Sequence, residues 1–289
     1  MNSRTPPSSL RTFLILGRAS NLPTVWSNCF AGWLIGGGGE FPRLVWLSIG
    51  ATFLYVGGMF LNDAFDANFD RQHRRQRPIP TGAISERKVW ICGFILLISG
   101  FLSLVWMGKT TAVLALLLII CIVLYDAIHK AISISPILMA GCRFFLYLVA
   151  ASATADGVNG LAIWSAFALA FYIVGLSYLA RRESSRSAIE SWPCYFLTAP
   201  ILLALLANSG EHQRPAFLIS FALAIWILWS LRHTFWKPQS NIGFTVSQLL
   251  AGITVVDWLA VDTTDPLTSA IFAGLFFAAL LFQRFIPAT

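Results

Sequence analysis

Long apolar runs are the feature that most constrains the fold of this chain. About ten runs, each near the roughly 20 residues needed to cross a bilayer, occupy most of its 289 residues. They lie near 22–40, 43–62, 88–107, 110–127, 133–155, 159–180, 192–208, 215–233, 243–261 and 266–285. Only 11% of the residues are charged, whereas soluble domains carry about 25%. Since backbone groups in lipid must bond within their own segment, the chain is predicted to be an all-α, polytopic transmembrane bundle of about nine or ten spans.

Two parts of the chain follow from this pattern. Residues 1–21 are predicted to be a cytoplasmic lead-in without the cleavage site of a signal peptide, and residues 22–285 a single transmembrane domain.

The ninth run contains Asp257 and could instead be re-entrant. Arg143 and Asp257 lie inside predicted spans, where charge is costly and often functional. They are expected either to face a cavity in the bundle or to pair with each other.

The positive charge is unevenly distributed along the chain. The net charge is +7, and with the N-terminus inside, most Lys and Arg residues fall on the inner side. This is the bias of a multi-pass protein of the cytoplasmic (inner) membrane, so the basic excess does not indicate nucleic acid binding. The longer polar loops, at 63–87, 181–191 and 234–241, also fall inside. The active-site loops are therefore predicted on the cytoplasmic side.

An acidic and basic stretch follows the second run directly. Asn62, Asp66 and Asp70 are four residues apart, which places them on one face of a helix. Carboxylate oxygens suit Mg²⁺, which usually binds together with substrate phosphates. Arginines follow within two turns, Arg77 among them, and their planar guanidinium groups bind phosphate well. The stretch predicts a site for a magnesium-bound diphosphate; the alternative is a solvated, self-paired loop that fixes topology.

These residues also carry a family resemblance. The segments NDAFDANFD and RPIPTGAIS resemble the first signature of the UbiA superfamily of intramembrane prenyltransferases, an N-x-x-x-D-x-x-x-D helix end followed by an R-P-[IL]-P-x-G-x-[IL]-S loop. The segment GRASNLPTVWSNCFAGWL resembles the first helix of that family. The residues that match the signature are Asn62, Asp66, Asp70, Arg77, Pro78, Pro80, Gly82 and Ser85.

Two further segments resemble the family less closely. Tyr125 and Lys130 resemble its Y-x-x-x-K segment, with one residue more between them and Ala131 in place of the usual basic residue. Lys130 is a candidate diphosphate ligand, with Tyr125 and Asp126 as possible neighbours, or else an ordinary positive anchor. Where family members carry a second aspartate-rich motif, this chain has GLSYLARRESSRSAIESWP. That segment resembles a divergent branch with an A-R-[RQ]-E sequence.

The resemblance implies a membrane prenyltransferase that uses Mg²⁺. It would transfer an isoprenoid group from an allylic diphosphate to a hydrophobic acceptor, often aromatic, within the lipid bilayer; no protein partner is indicated. The implied catalytic residues are Asp66, Asp70, Lys130 and Glu183. The implied diphosphate ligands are Asn62, Arg77, Lys130, Arg181 and Arg182, and the implied metal ligands are Asn62, Asp66, Asp70 and Glu183.

Two other functions were considered. A non-catalytic UbiA-like lipid-binding or carrier protein is favoured by the missing second motif, although one Mg²⁺ with an arginine clamp could also replace that motif. CDP-alcohol phosphotransfer is disfavoured, because its signature requires a glycine shortly after the second aspartate and Asp66 is followed by Ala67, Asn68 and Phe69.

Overall fold

The computed structural model describes residues 9–182, 191–207, 213–237, 240–261 and 265–287. Within these ranges the chain is helical and contains no strand. The helices are α1 (Ser9–Leu16), α2 (Leu22–Ile35), α3 (Phe41–Phe65), α4 (Ala67–His73), α5 (Glu86–Val105), α6 (Lys109–Ile128), α7 (Ser135–Ser152), α8 (Gly160–Arg182), α9 (Pro193–Phe196), α10 (Ala199–Ala207), α11 (Gln213–Phe235), α12 (Ile242–Val261) and α13 (Pro266–Gln283).

Eight of these helices are long and apolar enough to cross a membrane: α3, α5, α6, α7, α8, α11, α12 and α13. The predicted transmembrane bundle is therefore confirmed. Two predicted runs are shorter as helices than their sequences suggested. The first ends at Ile35, because glycines follow and Gly37, Gly38 and Gly39 all have positive φ. The run at 192–208 is divided into α9 and α10.

The ninth run forms one uninterrupted helix. Helix α12 extends over 20 residues from Ile242 to Val261 and includes Asp257 about one turn before its end. That length spans about 30 Å at 1.5 Å per residue, which matches the hydrocarbon core of a bilayer. The re-entrant alternative is therefore wrong.

Small residues allow the central helices to approach closely. Helix α2 contacts α3, α7, α12 and α13. A Cβ atom added to Gly32 would lie 2.5 Å from the carbonyl oxygen of Tyr147 on α7. A Cβ atom added to Gly57 on α3 would lie 3.0 Å from the carbonyl oxygen of Gly93 on α5. Close backbone contact at small residues is how membrane helices associate without a hydrophobic driving force.

This packing brings polar residues together at two levels of the bundle. Helices α3 and α6 end near each other, so the residues after Phe65 meet those after Ile128. Helices α2, α7 and α12 meet in the interior. We name the first group the charged rim (Asp63, Asp66, Asp70, Arg77 and Lys130) and the second the inner cluster (Thr24, Ser27, Asn28, Arg143 and Asp257).

Candidate active site at the charged end of the bundle

The three residues of the predicted helical face remain stacked in the structure. Helix α3 ends at Phe65 and α4 begins at Ala67, yet the backbone hydrogen bonds continue across the junction. The amide of Asp66 donates to the carbonyl of Asn62 at 3.0 Å, and the amide of Asp70 donates to that of Asp66 at 2.9 Å. All three side chains are buried. They therefore follow one another at one-turn intervals.

Asp66 is paired with Lys130 and His129 from the segment after α6. The ammonium of Lys130 lies 2.6 Å from its Oδ1, and Nε2 of His129 lies 3.5 Å away. Lys130 also lies over the ring of Phe69, 3.8 Å from its centroid. Burial acts to raise the pKa of Asp66, but the hydrogen bonds from His129 and Lys130 outweigh it and hold that pKa below its ordinary value. Asp66 is therefore a carboxylate.

Arg77 connects the other two aspartates of the rim. Its Nη1 donates to Oδ1 of Asp63 at 2.7 Å and lies 3.4 Å from Oδ2 of Asp70. Burial raises the pKa of Asp70, and the charge of Arg77 opposes this. The Thr81 hydroxyl donates to the carbonyls of Arg77 and Pro78, which fixes the turn that presents Arg77.

Asn62 lies one turn below Asp66 and links three parts of the chain. Its Oδ1 accepts a hydrogen bond from Nη2 of Arg18 at 3.1 Å, and its Nδ2 donates to Oδ1 of Asp126 on α6 at 3.0 Å. Arg18 also lies 3.8 Å from Asp63. The amide oxygen of Asn62 thus accepts one hydrogen bond and keeps a second lone pair.

Arg181, near the end of α8, holds the segment that carries Lys130. Its Nη1 donates to the carbonyl of Ile132 at 2.7 Å and to the Ser135 hydroxyl at 3.1 Å. Arg181 is thus next to the rim without contacting its carboxylates. The side chain of Arg182 and the whole of Glu183 lie outside the described residues.

Comparison with known proteins identifies the family. A family model described as the UbiA prenyltransferase family matches residues 22–243. The chain belongs to this family. The resemblance seen in the sequence is therefore confirmed, and the protein is a multi-pass UbiA-type membrane protein.

Curated relatives are similar to this UbiA protein at low identity. The 4-hydroxybenzoate octaprenyltransferase of Pectobacterium atrosepticum is 28% identical over 127 residues, which cover 43% of this chain and 44% of that relative. The match thus spans less than half the length of that enzyme. The digeranylgeranylglyceryl phosphate synthase of Haloquadratum walsbyi is 26% identical over 288 residues, which cover 95% of this chain and 94% of that one.

Solved structures share the UbiA fold. A UbiA homolog from Aeropyrum pernix superposes with a TM-score of 0.66 at 13% identity, covering 85% of this chain and 97% of that one. A UbiA homolog from Archaeoglobus fulgidus bound to DMAPP and Mg²⁺ superposes with a TM-score of 0.61 at 14% identity, covering 86% and 99%. At these identities the likeness establishes the fold.

The charged rim has the chemistry that a UbiA magnesium site requires. Asp66 and Asp70 present carboxylates one turn apart, and Oδ1 of Asp70 is buried with no hydrogen-bond partner in the part of the chain that the structure describes. Among these residues, no group of three or more His, Cys, Asp or Glu is arranged to hold a metal by itself. Mg²⁺ usually binds one or two carboxylates together with substrate phosphates, so the rim fits that mode of binding.

Several residues at this site were not assigned from the sequence. Arg18 lies 44 positions before Asn62, and no spacing rule connects them. His129 lies beside Asp66, and its position next to Lys130 in the sequence is a usable signal for this. Asp63 and Asp126 are bonded to the residues around the predicted ligands.

Proposed function

We propose that this protein is a membrane prenyltransferase. It transfers an isoprenoid group from an allylic diphosphate to a hydrophobic acceptor such as an aromatic ring, and it requires Mg²⁺. The observation that carries the proposal is the charged rim. Two buried carboxylates, one with an unbonded oxygen, lie between Arg77 and Lys130 at the end of a transmembrane bundle.

Each rim residue has a role in this proposal. Asp66 and Asp70 hold the Mg²⁺, which when bound neutralises charge on the departing diphosphate as a Lewis acid. Arg77 and Lys130 donate charge-assisted hydrogen bonds to the diphosphate oxygens. Lys130 is bonded to Asp66 in this structure, and its ammonium has further N–H donors for the phosphate. Asn62 supports the site from below.

The end of α8 and the next residue in the sequence, Glu183, supply the remaining ligands in this proposal. Arg181 and Arg182 add positive charge beside the diphosphate, and Glu183 is the acidic residue available as a further metal ligand. Arg181 supports this because its bonds to the segment after α6 bring the end of α8 next to Lys130.

The position of the rim suits an amphipathic substrate. Its charges lie where α3 and α6 end, whereas the helices themselves are apolar. The diphosphate would bind at the rim and the isoprenoid tail among the helices, where exclusion of water protects an allylic cation from hydrolysis. From the distribution of Lys and Arg, the rim is proposed to face the cytoplasm from the inner membrane.

A non-catalytic lipid carrier is the second candidate. The replacement of the second aspartate-rich motif by Arg181, Arg182 and Glu183 favours it, since fewer carboxylates remain to hold metal. A carrier that binds diphosphate by arginines alone would not need the carboxylate of Asp66. The two functions therefore differ in their dependence on Mg²⁺.

Thermal unfolding of the purified protein tests the proposal. Geranyl, farnesyl and geranylgeranyl diphosphate would each be added with and without Mg²⁺, to wild type, Asp66→Ala and Glu183→Ala. A ligand at 100 times its Kd adds about 2.7 kcal/mol of apparent stability. We expect stabilisation that needs Mg²⁺ and disappears in Asp66→Ala.

Asp265→Asn is the matched control, because Asp265 is an exposed cap at the start of α13 and asparagine also caps helices well. It should respond as wild type does. If folded wild type gains no stability from any diphosphate, the prenyltransferase proposal is wrong; stabilisation without any need for Mg²⁺ would favour the carrier.

A further inference from the structure

The inner cluster places opposite charges inside the bundle with an amide between them. Arg143 donates from Nη1 to Oδ1 of Asn28 at 2.6 Å, and Nδ2 of Asn28 donates to Oδ2 of Asp257 at 2.7 Å. The Ser27 hydroxyl donates to the same carboxylate oxygen. Within the described residues, Arg143 forms no ion pair with any carboxylate, so of the two alternatives left open by the sequence, the pairing of Arg143 with Asp257 occurs only through Asn28.

The guanidinium is therefore buried without a direct counter-anion. Removing such a charge from water costs several kcal/mol, and charged residues within membrane spans mark functional sites more often than not. Had the sequence placed aspartate at position 28, Arg143 would have a direct ionic partner. Asn28 instead separates the two charges, so the carboxylate of Asp257 is joined to Arg143 only through a neutral amide.

Arg143 retains capacity to bind a further group. Its hydrogen bonds go to the carbonyl and hydroxyl of Thr24 and to Asn28, which occupy three of the five N–H donors of a guanidinium. Its side chain also lies near the ring of Tyr55, with Cζ 5.9 Å from the centroid. Arg143 is 8% exposed, whereas the other four members of the inner cluster are 0% exposed. It is the member of this cluster whose surface is not fully covered by the rest of the chain.

A line of polar contacts connects Arg143 with the charged rim. Tyr55, Asn62 and Asp66 are seven and four residues apart on α3 and so share one face. The Tyr55 hydroxyl donates to the Arg18 carbonyl at 3.4 Å, and Arg18 donates to Asn62. Eleven residues separate Tyr55 from Asp66, about 16 Å along the helix axis. Arg143 thus lies deeper in the bundle than the rim, on the side that the rim residues share.

We propose that Arg143 binds the acceptor substrate through an oxyanion that the acceptor carries, a carboxylate or a phosphate. Asn28 and Asp257 are positioning residues. Because the carboxylate of Asp257 accepts from Nδ2 of Asn28, Oδ1 of Asn28 must face Arg143, which fixes the guanidinium. This inference rests on the proposed transferase function, with the donor diphosphate at the rim and the acceptor beneath it. Paired N–H groups of arginine recognise such anions with geometric specificity.

Charged and uncharged versions of the same ligand test this without any mutation. One pair is 4-hydroxybenzoate and its methyl ester; the other is a mono-prenylated glyceryl phosphate and the corresponding glyceryl ether. Binding to the full-length protein in detergent would be measured by calorimetry, with farnesyl diphosphate and Mg²⁺ present. We expect at least one anion to bind ten times or more tightly than its uncharged partner, and the pair that responds identifies carboxylate or phosphate as the source.

An exchange of two side chains provides the matched variant. Asn28→Asp combined with Asp257→Asn keeps the composition, volume and net charge of the inner cluster but places the carboxylate directly against Arg143. We expect the anion to lose ten-fold or more in affinity, because Arg143 then has an internal counter-anion. Arg143→Lys should lose less, since it keeps the charge without the paired donors.

Donor binding separates the possible failures. Mg²⁺-dependent binding of farnesyl diphosphate by the exchanged variant shows that it is folded. The inference is overturned if wild type binds the donor but binds neither anion, or binds each anion no better than its uncharged partner. It is also overturned if the folded, exchanged variant binds the anion as wild type does. Absence of donor binding in wild type would instead contradict the proposed function.

Discussion

The charged rim and the inner cluster both contain arginine and aspartate side chains but pair them differently. At the rim, Arg77 and Lys130 contact carboxylates directly, at 2.7 and 2.6 Å. In the inner cluster, Arg143 and Asp257 are joined only through Asn28. Direct pairs at the end of the bundle can exchange a carboxylate for a phosphate when a ligand arrives. A charge separated from its counter-ion by an amide keeps donors available without any exchange.

The charged rim and the inner cluster also differ in which helices they join and in how deeply they are buried. The rim joins the ends of α3 and α6 and lies beside exposed loops, whereas the inner cluster connects α2, α7 and α12 and, Arg143 apart, is 0% exposed. Loss of a charge should therefore affect stability most in the inner cluster and donor binding most at the rim.

The largest expected change in stability is that of Asp257→Ala. Removal of this carboxylate leaves Ser27 and Asn28 with unpaired donors and Arg143 without compensating charge. Breaking a buried charge network in this way costs about 3–5 kcal/mol. The free energy of unfolding would be measured by denaturation in detergent. Asp265→Ala serves as the control, since Asp265 is an exposed helix cap and its loss should destabilise the protein much less; equal losses in the two variants would contradict the comparison.

A smaller effect is expected for Arg77→Lys at the rim. Arg77 contacts both Asp63 and Asp70 through Nη1, and its other N–H groups form a planar fork for phosphate that a lysine ammonium lacks. Affinity for farnesyl diphosphate with Mg²⁺ should fall by about ten-fold, or about 1.4 kcal/mol, with less loss of stability than Asp257→Ala. Calorimetric titration measures it. Unchanged affinity would show that Arg77 stabilises only the turn and does not bind the diphosphate.

The smallest effect is expected for Arg71→Gln. Arg71 pairs with Glu86 at 2.6 Å, but the two side chains are 47% and 37% exposed. Exposed ion pairs contribute about 0–1 kcal/mol, so stability and diphosphate affinity should both stay close to wild type. The same unfolding and titration experiments check this. A loss comparable to that of Arg77→Lys would mean that the rim extends further into the loop than its contacts indicate.

Much of the fold and part of the candidate site could be predicted from the sequence. Apolar runs give the spans, because bilayer thickness fixes their length, and the spacing of Asp66 and Asp70 indicates a shared face. The roles of Arg18 and Asn28 could not be predicted. Both act through contacts between residues far apart in the chain, and a single sequence carries no signal for the packing of α2 against α3, α7 and α12. The same limit left open whether Lys130 is a ligand or an anchor.

The most direct test of the central claim is a calorimetric titration of farnesyl diphosphate with Mg²⁺ into three proteins. These are wild type, Asp66→Ala, and the double variant Asn28→Asp with Asp257→Asn. The account predicts that wild type and the double variant bind the donor alike and that Asp66→Ala does not bind it, because the donor belongs to the rim alone. The division of roles between the two regions would be contradicted if Asp66→Ala still bound farnesyl diphosphate in a Mg²⁺-dependent way. It would also be contradicted if a folded double variant no longer bound this donor.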